Sequence, residues 1–259
     1  MPLVANGSHN IHYTTIGQGT PIVFIHGIFT SGQDWEYYGY TDALQDFMMI
    51  LVDLRGHGKS SDHSNPEEYD PEIQASDIKC VLEDLKLDRA IIWGYSFGGR
   101  IAYAFALLYP QCVLQLVVGG MHPYPVTRVY PSIHKRMDII AKGMDKWVQY
   151  LEAKNVPITT KIKKILLENN PNALVANDHS ILSWQGFGEK LNQLHQVSFE
   201  IILYVGEKDH SYNEEMTSFA RDFGIKQMLI VRGLGHGEVY VSGKIVCRLI
   251  GPKLIHNQK

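Results

Sequence analysis

A chain of 259 residues, 45% hydrophobic and 20% charged, has the length and composition of one globular α/β domain carrying an insertion, or of two small domains. Its formal net charge of −3 supplies no broad positive field, so nucleic acid and anionic membrane surfaces are not expected partners. No apolar run is long enough to span a bilayer, and the three widely spaced cysteines, Cys80, Cys112 and Cys247, include no C-x-x-C pair, which argues against membrane insertion, a disulfide framework and a zinc site.

The first residues lack a basic stretch followed by an apolar core, so a cytoplasmic location is expected. Residues 10–16, after Asn6-Gly7, alternate apolar with polar side chains and predict an antiparallel hairpin at the start of the chain. Short β-branched runs then recur at 21–25, 48–52, 90–93, 114–118, 201–205 and 227–231. They are nearly continuous rather than alternating, which predicts strands buried on both faces in a mostly parallel, doubly wound α/β sheet covered by helices.

Between the strand at 90–93 and a helix-like run at 100–108 stands Gly94-Tyr95-Ser96-Phe97-Gly98-Gly99. A G-x-S-x-G in that context is a nucleophile elbow: the chain turns so sharply that the serine oxygen projects above the sheet edge, and the glycines relieve the crowding. No convincing strand lies between 118 and 201. The stretches 139–151, 161–168 and 174–194 predict several short helices, with Pro157 and Pro171 as breaks. This segment is expected to form a helical lid, 122–198, inserted into a sheet domain built from 1–121 and 199–259.

A hydroxyl is a poor nucleophile at neutral pH, so Ser96 needs a general base, and the base needs an anionic partner. Asp209, in Gly206-Glu207-Lys208-Asp209, follows one predicted strand; His236, in Gly233-Leu234-Gly235-His236-Gly237, follows the last. Glu207 and Asp178 are competing acids. The segment Gly119-Gly120-Met121-His122, after the preceding strand, has no carboxylate, which favours Asp209.

The chain resembles the α/β-hydrolase superfamily. The resemblance rests on His26-Gly27, Asp53-Leu54-Arg55-Gly56-His57-Gly58-Lys59-Ser60, the elbow, and the two segments carrying Asp209 and His236, in that order along the chain. It implies the α/β-hydrolase fold, a Ser96–Asp209–His236 triad, and an oxyanion hole made by the backbone N–H groups of Phe97 and Ile28, with Phe29 as the alternative to Ile28. It also implies that His26 packs under the oxyanion loop and that Asp53, Arg55 and His57 fix a loop rather than act on substrate.

Candidate substrate-pocket residues are Met121, His122 and Tyr124, just past a strand end, and Trp184 in the lid. Phe29, Tyr95 and His210 join them as neighbours of the oxyanion loop, the nucleophile and the acid. Trp147, Phe187 and Tyr150 are weaker candidates, because aromatic residues at helical spacing are more often core.

The expected activity is that of a cofactor-independent carboxylesterase, with no metal, acting on a small or medium acyl substrate. Lactonases, C–C bond hydrolases and proline iminopeptidases are the alternatives within this chemistry, although the lysine-rich lid disfavours an amine substrate. A serine at the elbow argues against the epoxide hydrolases and dehalogenases, which place an aspartate there. A ligand receptor in which the triad does not turn over is the alternative from another class. The sequence carries no signal for the oligomeric state.

Overall fold

A computed structural model describes residues 2–125, 129–156 and 158–255. Eight strands form one sheet: β1 (Leu3–Asn6), β2 (His9–Ile16), β3 (Thr20–Ile25), β4 (Phe47–Val52), β5 (Ala90–Tyr95), β6 (Val113–Gly119), β7 (Glu200–Gly206) and β8 (Gln227–Val231). Their spatial order is β1-β2-β4-β3-β5-β6-β7-β8. β2 pairs antiparallel with β1 and β4, and every other pairing is parallel. The hairpin expected from Asn6-Gly7 is present, turning through Gly7 at φ 59°.

Side chains alternate across each strand, so the sheet has two apolar faces. Val23, Ile25, Ile50, Val52 and Ile92 meet the helices Pro71–Asp84 and Phe97–Leu108 on one side. Ile22, Phe24, Met49, Leu51 and Trp93 meet Trp35, Tyr40 and Val246 on the other. Each large side chain so buried contributes about 1.5–3 kcal/mol. The helix Pro71–Asp84 starts where Asp70 accepts the Glu72 N–H at 2.8 Å and Pro71 occupies the first turn, where it removes no helical bond.

β8 departs from the two-sided burial expected of its sequence. It is the edge strand, and Ile230 is 41% exposed. A run of apolar residues does not reveal which strand ends the sheet.

The segment between β6 and β7 contains the helices Tyr130–Ile140, Met144–Ala153, Thr160–Glu168 and Pro171–Ser183, then a 3-10 stretch, Gly188–His195. The predicted helix at 139–151 is broken at Gly143, whose φ of 120° no helix accommodates. Pro171 opens a helix, behind an Asn170 side chain that accepts the Asn172 N–H at 2.9 Å. Pro157 lies outside the described residues. No helix among the described residues is long and apolar enough to cross a membrane.

Candidate active site

The parallel strands β3, β5, β6, β7 and β8 end on the same rim of the sheet, where the following loops gather the polar side chains. Ser96 sits between β5 and the helix Phe97–Leu108 with φ 52° and ψ −119°, a strained conformation held by its surroundings. Its N–H donates to the Gly119 carbonyl at 2.8 Å. The elbow glycines are there because nothing larger fits. A Cβ on Gly94 would lie 2.3 Å from the Gly98 carbonyl oxygen, and one on Gly98 would lie 2.2 Å from that of Ile25.

Asp209 and His236 are brought together by two loops that clasp each other. The Lys208 N–H donates to the Leu234 carbonyl at 2.9 Å, the Gly233 N–H to the Glu207 carboxylate at 2.8 Å, and a Cβ on Gly206 would strike the Leu234 carbonyl. His236 heads a short helix, His236–Tyr240, whose Glu238 carboxylate accepts the Gly235 N–H at 2.7 Å. Across these loops His236 Nδ1 lies 2.6 Å from Asp209 Oδ2, and His236 Nε2 lies 2.8 Å from Ser96 Oγ. Buried Asp209 thus faces one ring nitrogen and Ser96 the other. Glu207, one competing acid, is spent on Gly233; Asp178, the other, is buried in an ion pair with Arg136.

The proposed oxyanion donors flank this relay. Phe97 is the first residue of its helix, where the N–H has no intrahelical acceptor. Gly27, next to Ile28, approaches Ser96 so closely that its Cβ would lie 3.5 Å from that of the serine. His26 braces the loop from beneath: its Nδ1 donates to the Gly27 carbonyl at 2.7 Å and its Nε2 accepts the Leu54 N–H at 3.0 Å.

The pocket candidates are dispersed around this rim. Met121 lies against the elbow, where a Cβ on Gly99 would be 2.9 Å from its own Cβ. Buried His122 faces Tyr212, with ring centroids 5.6 Å apart, and Tyr124 turns edge-on to Phe219. Trp184 packs on the Arg100 guanidinium, 4.3 Å from the ring centroid, and His210 is exposed. Phe29 turns its ring to Trp147, which in turn stacks on Tyr150.

Tyr95 is buried beneath the imidazole and donates its hydroxyl to the His236 carbonyl, so it supports the relay from below. Sequence reasoning did not single out Tyr212 or Arg100. Tyr212 stacks on His236 with centroids 4.9 Å apart; its aromatic ring three residues after the acid was the available signal. Arg100 is a charge in an otherwise apolar helix and is buried there. That contrast is the signal the sequence offers.

Asp53, Arg55 and His57 hold loops together. The Asp53 carboxylate accepts from His12 Nδ1 at 2.8 Å, the Gly32 N–H at 2.8 Å and the Lys59 N–H at 2.9 Å. Arg55 grips Asp77 through two bonds of 2.6 and 2.9 Å and adds Glu68. Among the described residues no group of three or more His, Cys, Asp or Glu side chains is placed to hold a metal ion.

Burial pushes the His26 imidazole down from its ordinary value to about 4 and that of His57 to about 3. Both are neutral when folded and protonate near 6.5 when unfolded, so the unfolded chain binds more protons below that pH. Their contribution is complete above about pH 6.5 and is lost as pH falls towards the folded values. The unfolding free energy obtained from urea titrations is expected to drop between pH 6.5 and 4 by up to roughly 1 kcal/mol per pH unit for each histidine. His57→Asn should flatten that slope; an unchanged slope would contradict this account.

The chain matches the family model for the alpha/beta hydrolase fold over residues 20–154. It belongs to the α/β-hydrolase family.

A Bacillus subtilis (strain 168) relative, carrying the name 2-succinyl-6-hydroxy-2,4-cyclohexadiene-1-carboxylate synthase, is 28% identical, with 94% of this chain and 96% of that protein covered. Against epoxide hydrolase 4 of Mus musculus the identity is 28%, but only 44% of this chain and 32% of that protein are covered. Among solved structures, a carboxylesterase structure from Nitrososphaera gargenis superposes with a TM-score of 0.82 at 16% identity, covering 97% of both chains. An Exiguobacterium antarcticum esterase gives 0.79 at 19%, covering 97% of this chain and 98% of that one. These two likenesses show the fold.

Proposed function

We propose that this α/β-hydrolase is a serine hydrolase that cleaves carboxylic esters of small to medium acyl groups through an acyl-enzyme. The observation that carries the reading is the unbroken relay from Ser96 Oγ to His236 Nε2 and from His236 Nδ1 to Asp209. His236 accepts the Ser96 proton as the serine oxygen attacks the ester carbonyl. Asp209 fixes the tautomer and stabilises the imidazolium that forms.

The Phe97 and Ile28 amides receive the negative charge that builds on the carbonyl oxygen, a contribution of about 3–4 kcal/mol per donor to the barrier. The protonated imidazole then delivers its proton to the leaving alcohol. Water, deprotonated by the same imidazole, clears the acyl-enzyme.

Labelling with a fluorophosphonate tests the reading. One adduct on Ser96, abolished by Ser96→Ala, together with turnover of short p-nitrophenyl esters, is the expected result. Tight binding of an ester without release of nitrophenol would instead favour a receptor. Lactones and C–C substrates in the same panel separate the neighbouring chemistries.

A second reading narrows the acyl group to one that bears a carboxylate, as in the compound for which the Bacillus subtilis relative is named. The observation favouring it is Arg100, buried one helical turn past the nucleophile and stacked on Trp184. Helical side chains lean towards the N-terminus, here towards Ser96. The Arg100 charge also reaches Tyr212, the ring that covers His236. A p-nitrophenyl hemisuccinate is then expected to exceed the butyrate in kcat/KM by about tenfold or more, and Arg100→Met to erase the difference. Equal use of the two esters by the unaltered enzyme would rule this reading out.

A further inference from the structure

The loop that follows β3 ends in an anomaly. Phe29, the residue after the proposed oxyanion donor Ile28, has φ 71°, a left-handed conformation that a bulky residue adopts only when its surroundings impose it. Within the loop the Thr30 hydroxyl donates to the Gly27 carbonyl at 2.8 Å, which fixes the end of the turn next to the strand. Beside the loop is a cavity of about 270 Å³, lined by Phe29, Thr30 and Asp34 of the loop and by Ile165 and Asn169 of the inserted helices, and its lining does not include Ser96.

The inserted helices make contact with Phe29. The Phe29 carbonyl accepts the Asn169 side-chain N–H at 3.2 Å, where Asn169 closes the helix Thr160–Glu168 and also donates to the Ile165 carbonyl at 2.8 Å. The Phe29 ring stacks on Trp147 of the helix Met144–Ala153, with centroids 5.6 Å apart and planes 18° apart. The guanidinium of Arg136 lies 5.4 Å from the same ring and is itself anchored by buried Asp178. Three separate helices of the insertion thus converge on one residue of the oxyanion loop.

We infer that Trp147 and Asn169 are positioning residues for the oxyanion hole: they hold Phe29 in its left-handed conformation and so aim the adjacent Ile28 N–H at the reacting carbonyl. The inference rests on the hydrolase reading above for its effect on rate, and on the loop contacts alone for its effect on conformation. Without the clamp Phe29 leaves the left-handed region and the loop from Gly27 shifts with it, carrying the Gly27–Ile28 peptide whose N–H is the donor. The donor is then misaimed, while the relay of Ser96, His236 and Asp209 stays intact. Binding of substrate in the ground state, which uses this donor least, is spared.

The test combines kinetics with hydrogen exchange. With a short p-nitrophenyl ester, Trp147→Ala and Asn169→Ala should each lower kcat by roughly 10- to 100-fold, less than deletion of a donor, with KM within about twofold. Trp147→Phe, which keeps a stacked ring, should recover all but about threefold. Phe29→Gly adopts the left-handed conformation without help, so in that background Trp147→Ala should change kcat by less than about twofold.

Amide exchange in a peptide covering residues 27–33 should accelerate at least tenfold in both alanine variants, whatever the enzyme turns over. Unaltered kcat and unaltered exchange in Trp147→Ala and Asn169→Ala would overturn the clamp. So would losses that persist in full on the Phe29→Gly background. Accelerated exchange in a protein that hydrolyses no ester would leave the clamp standing and remove the hydrolase reading instead.

Discussion

Ser96→Ala is expected to lower kcat for a short p-nitrophenyl ester by about 10⁴- to 10⁶-fold, with KM changed only a few-fold. The serine oxygen is the only hydroxyl within hydrogen-bonding distance of His236 Nε2 among the described residues, at 2.8 Å, so no neighbour can take over the attack. Asp209→Asn should lose about 10⁴-fold, because an amide at 2.6 Å from Nδ1 would favour the wrong tautomer while leaving the packing unchanged. The two losses should not add in the double variant, since each disables the same proton relay. The measurement is steady-state kinetics on protein shown by circular dichroism to be folded. A Ser96→Ala variant that retained a tenth of the activity would place the nucleophile elsewhere.

Gly98→Ala is expected to reduce stability by more than about 4 kcal/mol or to prevent folding altogether. A methyl there would sit 2.2 Å from the Ile25 carbonyl oxygen and 2.4 Å from that of His26, both main-chain atoms at the end of a central strand. Neither can retreat, because Ile25 is paired on both sides, with Val52 and with Gly94. Gly237→Ala is the matched comparison: its methyl would meet nothing within 4 Å, and the change should stay within roughly 0.5 kcal/mol. Urea unfolding of the two variants measures the contrast. Similar midpoints for both would mean that the elbow is far more plastic than its contacts imply.

The parts of this architecture that follow from local chemistry were readable in the sequence. Six apolar runs and one alternating segment became β2 to β8, because a strand buried on both faces leaves a continuous apolar signature. The elbow was legible because its three glycines are required by contacts under 3 Å, and the order of Ser96, Asp209 and His236 because strand ends deliver them to one rim. Its distance past β7 marks out Asp209 from Glu207 and Asp178, and its carboxylate lies 2.6 Å from His236 Nδ1.

Features that depend on long-range packing were not readable. Nothing in the run at 227–231 says that β8 lies at an edge. Gly143 stands inside a pattern that reads as one helix, and only its φ separates two. The neighbours of Tyr95 in the chain point to the pocket, yet its side chain lies under His236; the alternation of β5 decides this, with Tyr95 sharing a face with Trp93 and Ile91. The convergence of Trp147, Arg136 and Asn169 on Phe29 joins residues more than a hundred positions apart, and no local pattern announces it.

The strand order has a consequence for biosynthesis. From β5 onward the sheet grows in one direction: β5 adds beside β3, and β6, β7 and β8 each add to the edge left by the strand before. A nascent chain can therefore assemble in the order in which it emerges, but every unfinished stage presents an open row of amides and carbonyls to other chains. The histidine arrives only after the last strand, so a chain stalled on the ribosome is exposed to aggregation long before it can turn over substrate.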